Sequence, residues 1–167
     1  MIWPKDTMAE KIAFYGDPRG DHGVDEKWYA ENVVRVVPPF TMYYAGKPIK
    51  SIAFHRKCAD ALAAALAEIW EACGKDQSKI DKLGLSEYGG SFNYRLIRGS
   101  SAVSNHSFAI AIDIAPTKNE LNAPDYDRDG HPGKMPQFVV QAFKRQGFRW
   151  GGDYRGRTDA MHFEAVS

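Results

Sequence analysis

Apolar positions along the chain change their period near its middle. Cys58, Leu62, Leu66, Ile69 and Cys73 recur at spacings of four, four, three and four, the stripe of a single amphipathic helix. We place that helix from about Ser51 to Cys73, with Gly74 as its stop. Beyond a polar connection over residues 75 to 91, ending in Gly89-Gly90, the pattern turns to short apolar runs. It predicts strands at Phe92 to Ile97, Phe108 to Ile114, Phe148 to Trp150 and Met161 to Val166. A helix from Pro136 to Gln146 separates them, with proline at its start and Gly147 after its end. Before the long helix, Val33-Val34-Arg35-Val36-Val37 reads as a strand stopped by Pro38-Pro39, in a segment rich in turns and aromatics. Helix first and strands after predict an α+β domain with a small antiparallel sheet and packed helices. Residues 1–50 are expected to form an N-terminal arm packed on a main domain of residues 51–167.

One position breaks the apolar pattern. In Phe108 to Ile114, Asp113 stands between Ile112 and Ile114, and the run is entered through Ser104-Asn105-His106-Ser107. A carboxylate inside a core strand is costly unless it is paired, hydrogen-bonded or bound to a metal. His106 and Asp113 are seven residues apart and would lie on opposite faces of one straight strand. They converge only if the chain bends between them, and the polar loop before Phe108 supplies the bend. Ala109 and Ala111, on the same face as Asp113, leave room above the sheet. A third donor, His162, begins the last apolar run, and Asp159 precedes it by three residues. Two imidazoles and one carboxylate are a ligand set for catalytic zinc with an open fourth position. Asp159 would remain unligated as a general base. A facial-triad iron site is rejected: its first histidine and its carboxylate lie one residue apart, whereas six intervene here. His22, His55 and His131 are read as surface or satisfied core residues.

Composition limits the alternatives. At 167 residues, 44% hydrophobic and 26% charged, the chain suits one globular domain. A net charge of +1 argues against a dedicated nucleic-acid binder. Five basic residues and one acid lie between Lys144 and Arg157, a solvated basic run able to meet an anionic surface. Cys58 and Cys73 are about 22 Å apart along one helix, beyond disulfide reach, and are expected to be reduced core residues. The segment MIWPKDTMAEK has no apolar stretch long enough for a signal peptide, and no later run reaches transmembrane length. Synthesis in the cytoplasm, no membrane insertion and a monomeric state are expected. Asp125 to Gly130 matches the first half of an EF-hand loop, but the twelfth position is Pro136 instead of a bidentate glutamate. A solvated acidic turn is expected there.

The spacing Ser-x-His-x6-Asp over Ser104 to Asp113, followed by Trp150-Gly151-Gly152 and Asp159-Ala160-Met161-His162-Phe163-Glu164, resembles the zinc D-alanyl-D-alanine metallopeptidase family. That family includes vancomycin-resistance dipeptidases, carboxypeptidases, and phage endolysins that cut the L-alanyl–D-glutamate bond. The resemblance runs over about residues 90 to 166 and implies the fold shared by these peptidases and hedgehog signalling domains. It implies zinc on His106, Asp113 and His162, and Asp159 as the acid that activates water. An arginine upstream of the first histidine is expected to stabilise the oxyanion; Arg95 and Arg98 both qualify, and Arg98 is preferred. Many relatives have glycine three residues after the first histidine, where this chain has Ala109. The function implied is zinc-dependent cleavage of peptidoglycan stem peptides, foremost as an L-alanyl–D-glutamate endopeptidase of phage or prophage type. Delivery to the wall would then come from a holin-type protein or the virion. A D-Ala-D-Ala carboxypeptidase is the alternative within the class, and a non-catalytic wall-binding or virion module the alternative outside it.

Overall fold

A computed structural model describes residues 2–119 and 135–167. The Asp125 to Gly130 turn and His131 lie outside the described residues. In chain order the elements begin with α1 Met8–Tyr15, the hairpin strands β1 Arg19–Gly20 and β2 Gly23–Val24, α2 Glu26–Asn32 and β3 Val33–Val36. A second small hairpin, β4 Tyr43–Tyr44 and β5 Lys47–Pro48, leads to β6 Ile52–His55, α3 Ala59–Ala72 and α4 Gln77–Lys82. The last part of the chain holds β7 Tyr88–Gly90, β8 Ala111–Ile114, α5 Gln137–Arg145, β9 Arg149–Trp150 and β10 His162–Glu164. The architecture is α+β, and its strand pairs within sheets are antiparallel, as expected.

The sheet that carries the site has strand order β7-β8-β10-β9. Its two central strands are fully paired, and α5 and α3 pack together on one side of the molecule. Leu62, Leu66 and Ile69 of α3 and Val139, Val140 and Phe143 of α5 are all but inaccessible to solvent. Each buried side chain of this size contributes about 1.5–3 kcal/mol by removal from water. The stripe that predicted α3 is therefore its core face. Leu66→Ala would leave a cavity between the helices and cost roughly 2–5 kcal/mol. The helix ends where expected: Gly74 takes a left-handed φ of 66°, and the Lys75 amide turns back to the Trp70 carbonyl at 2.9 Å.

The start of that helix differs from expectation. Residues 52 to 55 form β6, which pairs antiparallel with β3 from Val33↔His55 to Val36↔Ile52. Ile52, Ala53, Phe54 and His55 are all buried, so the run is apolar on both faces and carries no alternation to mark it as a strand. Its partner strand lies some twenty residues earlier, a non-local pairing that helical spacing does not reveal. Phe92 to Ile97 is not a strand either; only an isolated bridge joins Leu96 to Val103, and Leu96 and Ile97 are exposed. Phe108 to Ile114 is straight only from Ala111 onwards, because Asn105–Phe108 forms a 3-10 turn. The helix expected from Pro136 to Gln146 is present as α5, with Pro136 as its N-cap.

Residues before β6 are woven into the same core. Trp3, Tyr15, Phe40 and Met42 join the buried cluster that contains α3 and the central sheet. The Tyr15 hydroxyl donates to the Ala165 carbonyl at 2.7 Å, and the Ser167 amide to the Pro4 carbonyl at 2.9 Å. Helix α1 has a sequence cause: Thr7 accepts from the Glu10 amide at 3.3 Å as N-cap, and Gly16, at φ 81°, closes it. Among the described residues no helix is long and apolar enough to cross a membrane.

Candidate metal centre

β8 and β10 place the central pair. His162 and Asp113 are register partners across the two strands, and Asp113 Oδ1 lies 3.0 Å from His162 Nδ1. His106 reaches the same carboxylate from the 3-10 turn, with Nε2 3.3 Å from Asp113 Oδ2. The bend that permits this sits at Ala109, one residue past the turn, in the left-handed region at φ 56° and ψ 37°. Glycine occupies that region without strain; here an alanine holds the shape. Asp113 needs space as well. A Cβ on Gly89 would fall 2.9 Å from the Asp113 Cβ, so glycine at that place in β7 lets the aspartate settle against the sheet.

The donor atoms of His106, Asp113 and His162 lie within 4.8 Å of one another, and both rings are buried. The imidazoles meet edge to face, with centroids 5.0 Å apart. His106 Nδ1 is 2.7 Å from the Ser91 carbonyl, which can only accept, so Nδ1 carries the proton and Nε2 is left as the donor atom. Two imidazoles and a carboxylate in a buried cluster form a donor set suited to zinc, and the three side chains fit a single ion.

The electrostatics of the cluster follow from burial and proximity. Burial opposes the charge on Asp113, but hydrogen bonds from His106 and His162 outweigh it and hold its pKa down at about 2. Burial likewise opposes a charged His162, yet hydrogen bonds to Asp113 and Glu164 raise its pKa to about 10. Glu164 is 2% exposed and held below the usual carboxylate range, burial being overcome by His162, Tyr154 and Asn105.

Asp159 is half-buried beside this cluster. Its pKa is raised, chiefly by burial, with the charge of Asp113 adding to the effect and that of His162 opposing it. Its Oδ1 is buried with no hydrogen-bond partner among the described residues. A carboxylate oxygen left unmatched at that depth is expected where a ligand completes the site. The Trp150-Gly151-Gly152 stretch explains how Asp159 gets there. The Asp159 amide donates to the Gly151 carbonyl at 2.9 Å, and a Cβ on Gly151 would lie 2.2 Å from the Asp159 carbonyl oxygen. A Cβ on Gly152 would strike the Trp150 ring at 2.3 Å. Both glycines are needed for close approach.

Arg95 and Arg98 stand apart from this assembly. Both are exposed on the irregular segment after β7, and neither guanidinium hydrogen-bonds a described residue. The backbone of Arg95 is tied down, its amide donating to Ser107 Oγ at 2.9 Å and its carbonyl accepting from the same hydroxyl at 3.1 Å. Arg98 lies beyond this anchor, in the turn closed by the Ser100 amide on the Ile97 carbonyl. The basic run is largely neutralised: Lys144 pairs with Asp153, Arg145 with Glu68, and Arg149 with Asp6 and Glu164. Glu164 is the functional candidate that sequence patterning passed over. The signal was present, since a glutamate two residues after His162 on a strand must share its face.

A buried His-Asp-His cluster that could hold a metal ion, with the Asp159 carboxylate beside it on a small antiparallel sheet, is an arrangement suited to metal-dependent hydrolysis. Comparison with known proteins agrees. Residues 98–165, which include all three donors and Asp159, match the family model described as D-alanyl-D-alanine carboxypeptidase. The chain is 29% identical over 155 residues to the peptidoglycan L-alanyl-D-glutamate endopeptidase CwlK of Bacillus subtilis (strain 168), covering 86% of this chain and 85% of that protein. No solved structure matches the chain. Over the segment that carries the candidate site, the chain is similar to the D-alanyl-D-alanine carboxypeptidase family, and over most of its length to a peptidoglycan endopeptidase.

Proposed function

We propose that this protein is a zinc peptidase that cleaves peptidoglycan stem peptides at the L-alanyl–D-glutamate bond. The observation that carries the proposal is the convergence of His106, Asp113 and His162 beside the unpartnered Asp159 oxygen. The choice of bond is supported by the likeness to CwlK, which extends over most of both chains. In this proposal the fold is the one shared by D-Ala-D-Ala peptidases and hedgehog domains, and the protein acts as a monomer.

His106 through Nε2, His162 through Nδ1 and Asp113 would hold the ion. Zinc bound there supplies Lewis-acid chemistry, polarising the scissile carbonyl and lowering the pKa of water. Asp159 takes a proton from the attacking water and returns it to the leaving amine. Its burial suits the task, because a carboxylate of raised pKa holds a proton more readily than an exposed one. Arg95 or Arg98 would close on the substrate to stabilise the developing oxyanion, with the Arg95 backbone as the fixed point of that segment. A cavity of about 410 Å³ lies along β7, the strand that pairs with β8, and is lined by Tyr44, Tyr88, Gly89, Gly90, Phe92 and Asn93. Gly90 is the register partner of Asp113, so one wall of this cavity is formed by the strand next to the candidate ligand.

Mass spectrometry of muropeptides after digestion tests the assignment. New L-alanine C-termini on the glycan strands, with clearing of a suspension of permeabilised bacteria, are expected. The family model's description favours a carboxypeptidase as second reading. Release of free D-alanine without clearing would establish that activity and remove both the endopeptidase and the lytic role.

A further inference from the structure

Behind His162 lies a closed ring of polar groups, buried at Glu164 and Lys11 and open to solvent at Asp6, that joins the N-terminal segment to the last strand. Glu164 Oε2 lies 2.8 Å from His162 Nε2 and accepts from Asn105 Nδ2 at 2.7 Å. Its Oε1 accepts from Arg149 Nε at 2.8 Å and from the Tyr154 hydroxyl. Asn105, the residue before His106, offers its Oδ1 to Lys11 Nζ at 2.6 Å. Lys11 Nζ donates to Asp6 Oδ1 at 2.9 Å, and Asp6 Oδ2 returns to Arg149. Lys11 is 5% exposed, an unusual depth for a lysine away from any ligand.

The ring sets orientations that packing alone would leave open. Imidazole has two equivalent-looking nitrogens, and the partner of one decides which the other presents to a metal. With Nε2 facing the Glu164 carboxylate, Nδ1 is the atom left toward Asp113. An asparagine amide can flip end for end at little cost in shape. Lys11 has donors only, so it draws the Asn105 oxygen toward itself and leaves the Asn105 nitrogen facing Glu164.

We infer that Glu164 is a positioning residue for His162, and that Asp6 and Lys11 hold it in place through Arg149 and Asn105, making the N-terminal segment part of the metal centre. The inference rests on the metal centre proposed above. A purely structural ion pair would need Arg149 alone. The additional contacts to His162 and to the residue preceding His106 tie the carboxylate to both histidine-bearing segments.

The test measures zinc affinity by chelator competition on the full chain for wild type, Glu164→Ala, Glu164→Gln and Lys11→Met. Thermal stability of the metal-free proteins is followed in parallel. Proton–nitrogen spectra of the histidine rings report which nitrogen of His162 holds the ion. The expected result is zinc on Nδ1 with the proton on Nε2, and about 10- to 100-fold weaker zinc binding in Glu164→Ala. Glu164→Gln, whose amide oxygen still accepts from Nε2, falls between the two, and Lys11→Met shows a smaller loss in the same direction. If Glu164→Ala does not fold, the other two variants decide. Altered thermal stability with unchanged zinc affinity in the folded variants would reduce Glu164 to a structural residue and overturn the inference. So would zinc bound through Nε2 of His162. Failure of wild type to bind zinc at all would remove the metal centre and this inference with it, whereas binding indifferent to Glu164 removes the inference alone.

Discussion

Asp113 and His162 face each other as register partners on adjacent antiparallel strands, with carboxylate and ring in contact at 3.0 Å. Cross-strand partners lie about 4.5–5.5 Å apart at Cα, and that spacing is fixed by the sheet, not by the side chains. Two of the three donors are thus positioned by backbone hydrogen bonds before any ion arrives.

Purified protein should carry about one zinc per chain. Replacing His106, Asp113 or His162 by alanine should remove the metal and abolish cleavage, as read by elemental analysis and muropeptide release. Full zinc occupancy in all three variants would refute the ligand set. Because the sheet places the donors, the Asp113 variant should keep its fold.

Asp159→Asn separates the proton carrier from the ligands. Size and shape are kept, so zinc content should stay at the wild-type level while turnover falls roughly 10²-fold or more. Turnover near wild type would move the role to another group.

Gly151→Ala tests the approach of the loop to Asp159. The added methyl would sit 2.2 Å from a backbone carbonyl that cannot swing aside. The expected cost is roughly 1–3 kcal/mol of stability together with loss of activity out of proportion to it, measured by urea unfolding and turnover. A stable, active variant would show that the loop has slack.

His55 predicts an acid-sensitive fold. It is fully buried, with Nε2 donating to the Tyr15 carbonyl at 2.9 Å and Nδ1 accepting from the Lys57 amide at 3.1 Å. Burial lowers its pKa from 6.5 to about 4. Between those values the unfolded chain binds a proton that the folded chain excludes, so stability is full above pH 6.5 and declines as pH falls toward 4. The loss attributable to this ring is up to roughly 3 kcal/mol. Urea unfolding of the metal-free protein should show a steeper decline over this window for wild type than for His55→Gln. Parallel curves would exclude His55 as the cause.

The residues proposed to bear the chemistry were the more conspicuous part of the sequence. Asp113 inside an isoleucine run, and histidines at the mouths of two apolar segments, are chemically out of place and therefore visible. The core face of α3 was equally plain, because its stripe repeats over several turns. What escaped depended on partners distant in the chain. β6 is apolar on both faces and becomes a strand only beside β3, and the last residues before it were absorbed into the helical pattern. Phe92 to Ile97 has strand-like composition but no neighbour to pair with beyond Val103. The expected bend between His106 and Asp113 exists, but it is built at Ala109 after a 3-10 turn and not in the polar loop alone. The ring around Glu164 was least legible, since its members come from Asp6, Lys11, Asn105, Arg149 and Glu164 and no local pattern links them.

Cys58 and Cys73 cap the two ends of α3 in line with its buried stripe, at 0% and 3% exposure, and burial pushes the Cys58 thiol far above its ordinary pKa. A thiol in that setting is unreactive while the helix stays docked and becomes an ordinary nucleophile once it is released. The pair therefore works as an internal clock. The rate at which a thiol reagent modifies Cys58 reports how often α3 lifts from α5 and β3, without any label having been introduced. Slower modification on adding zinc would measure how strongly the ion is linked to the docking of that helix.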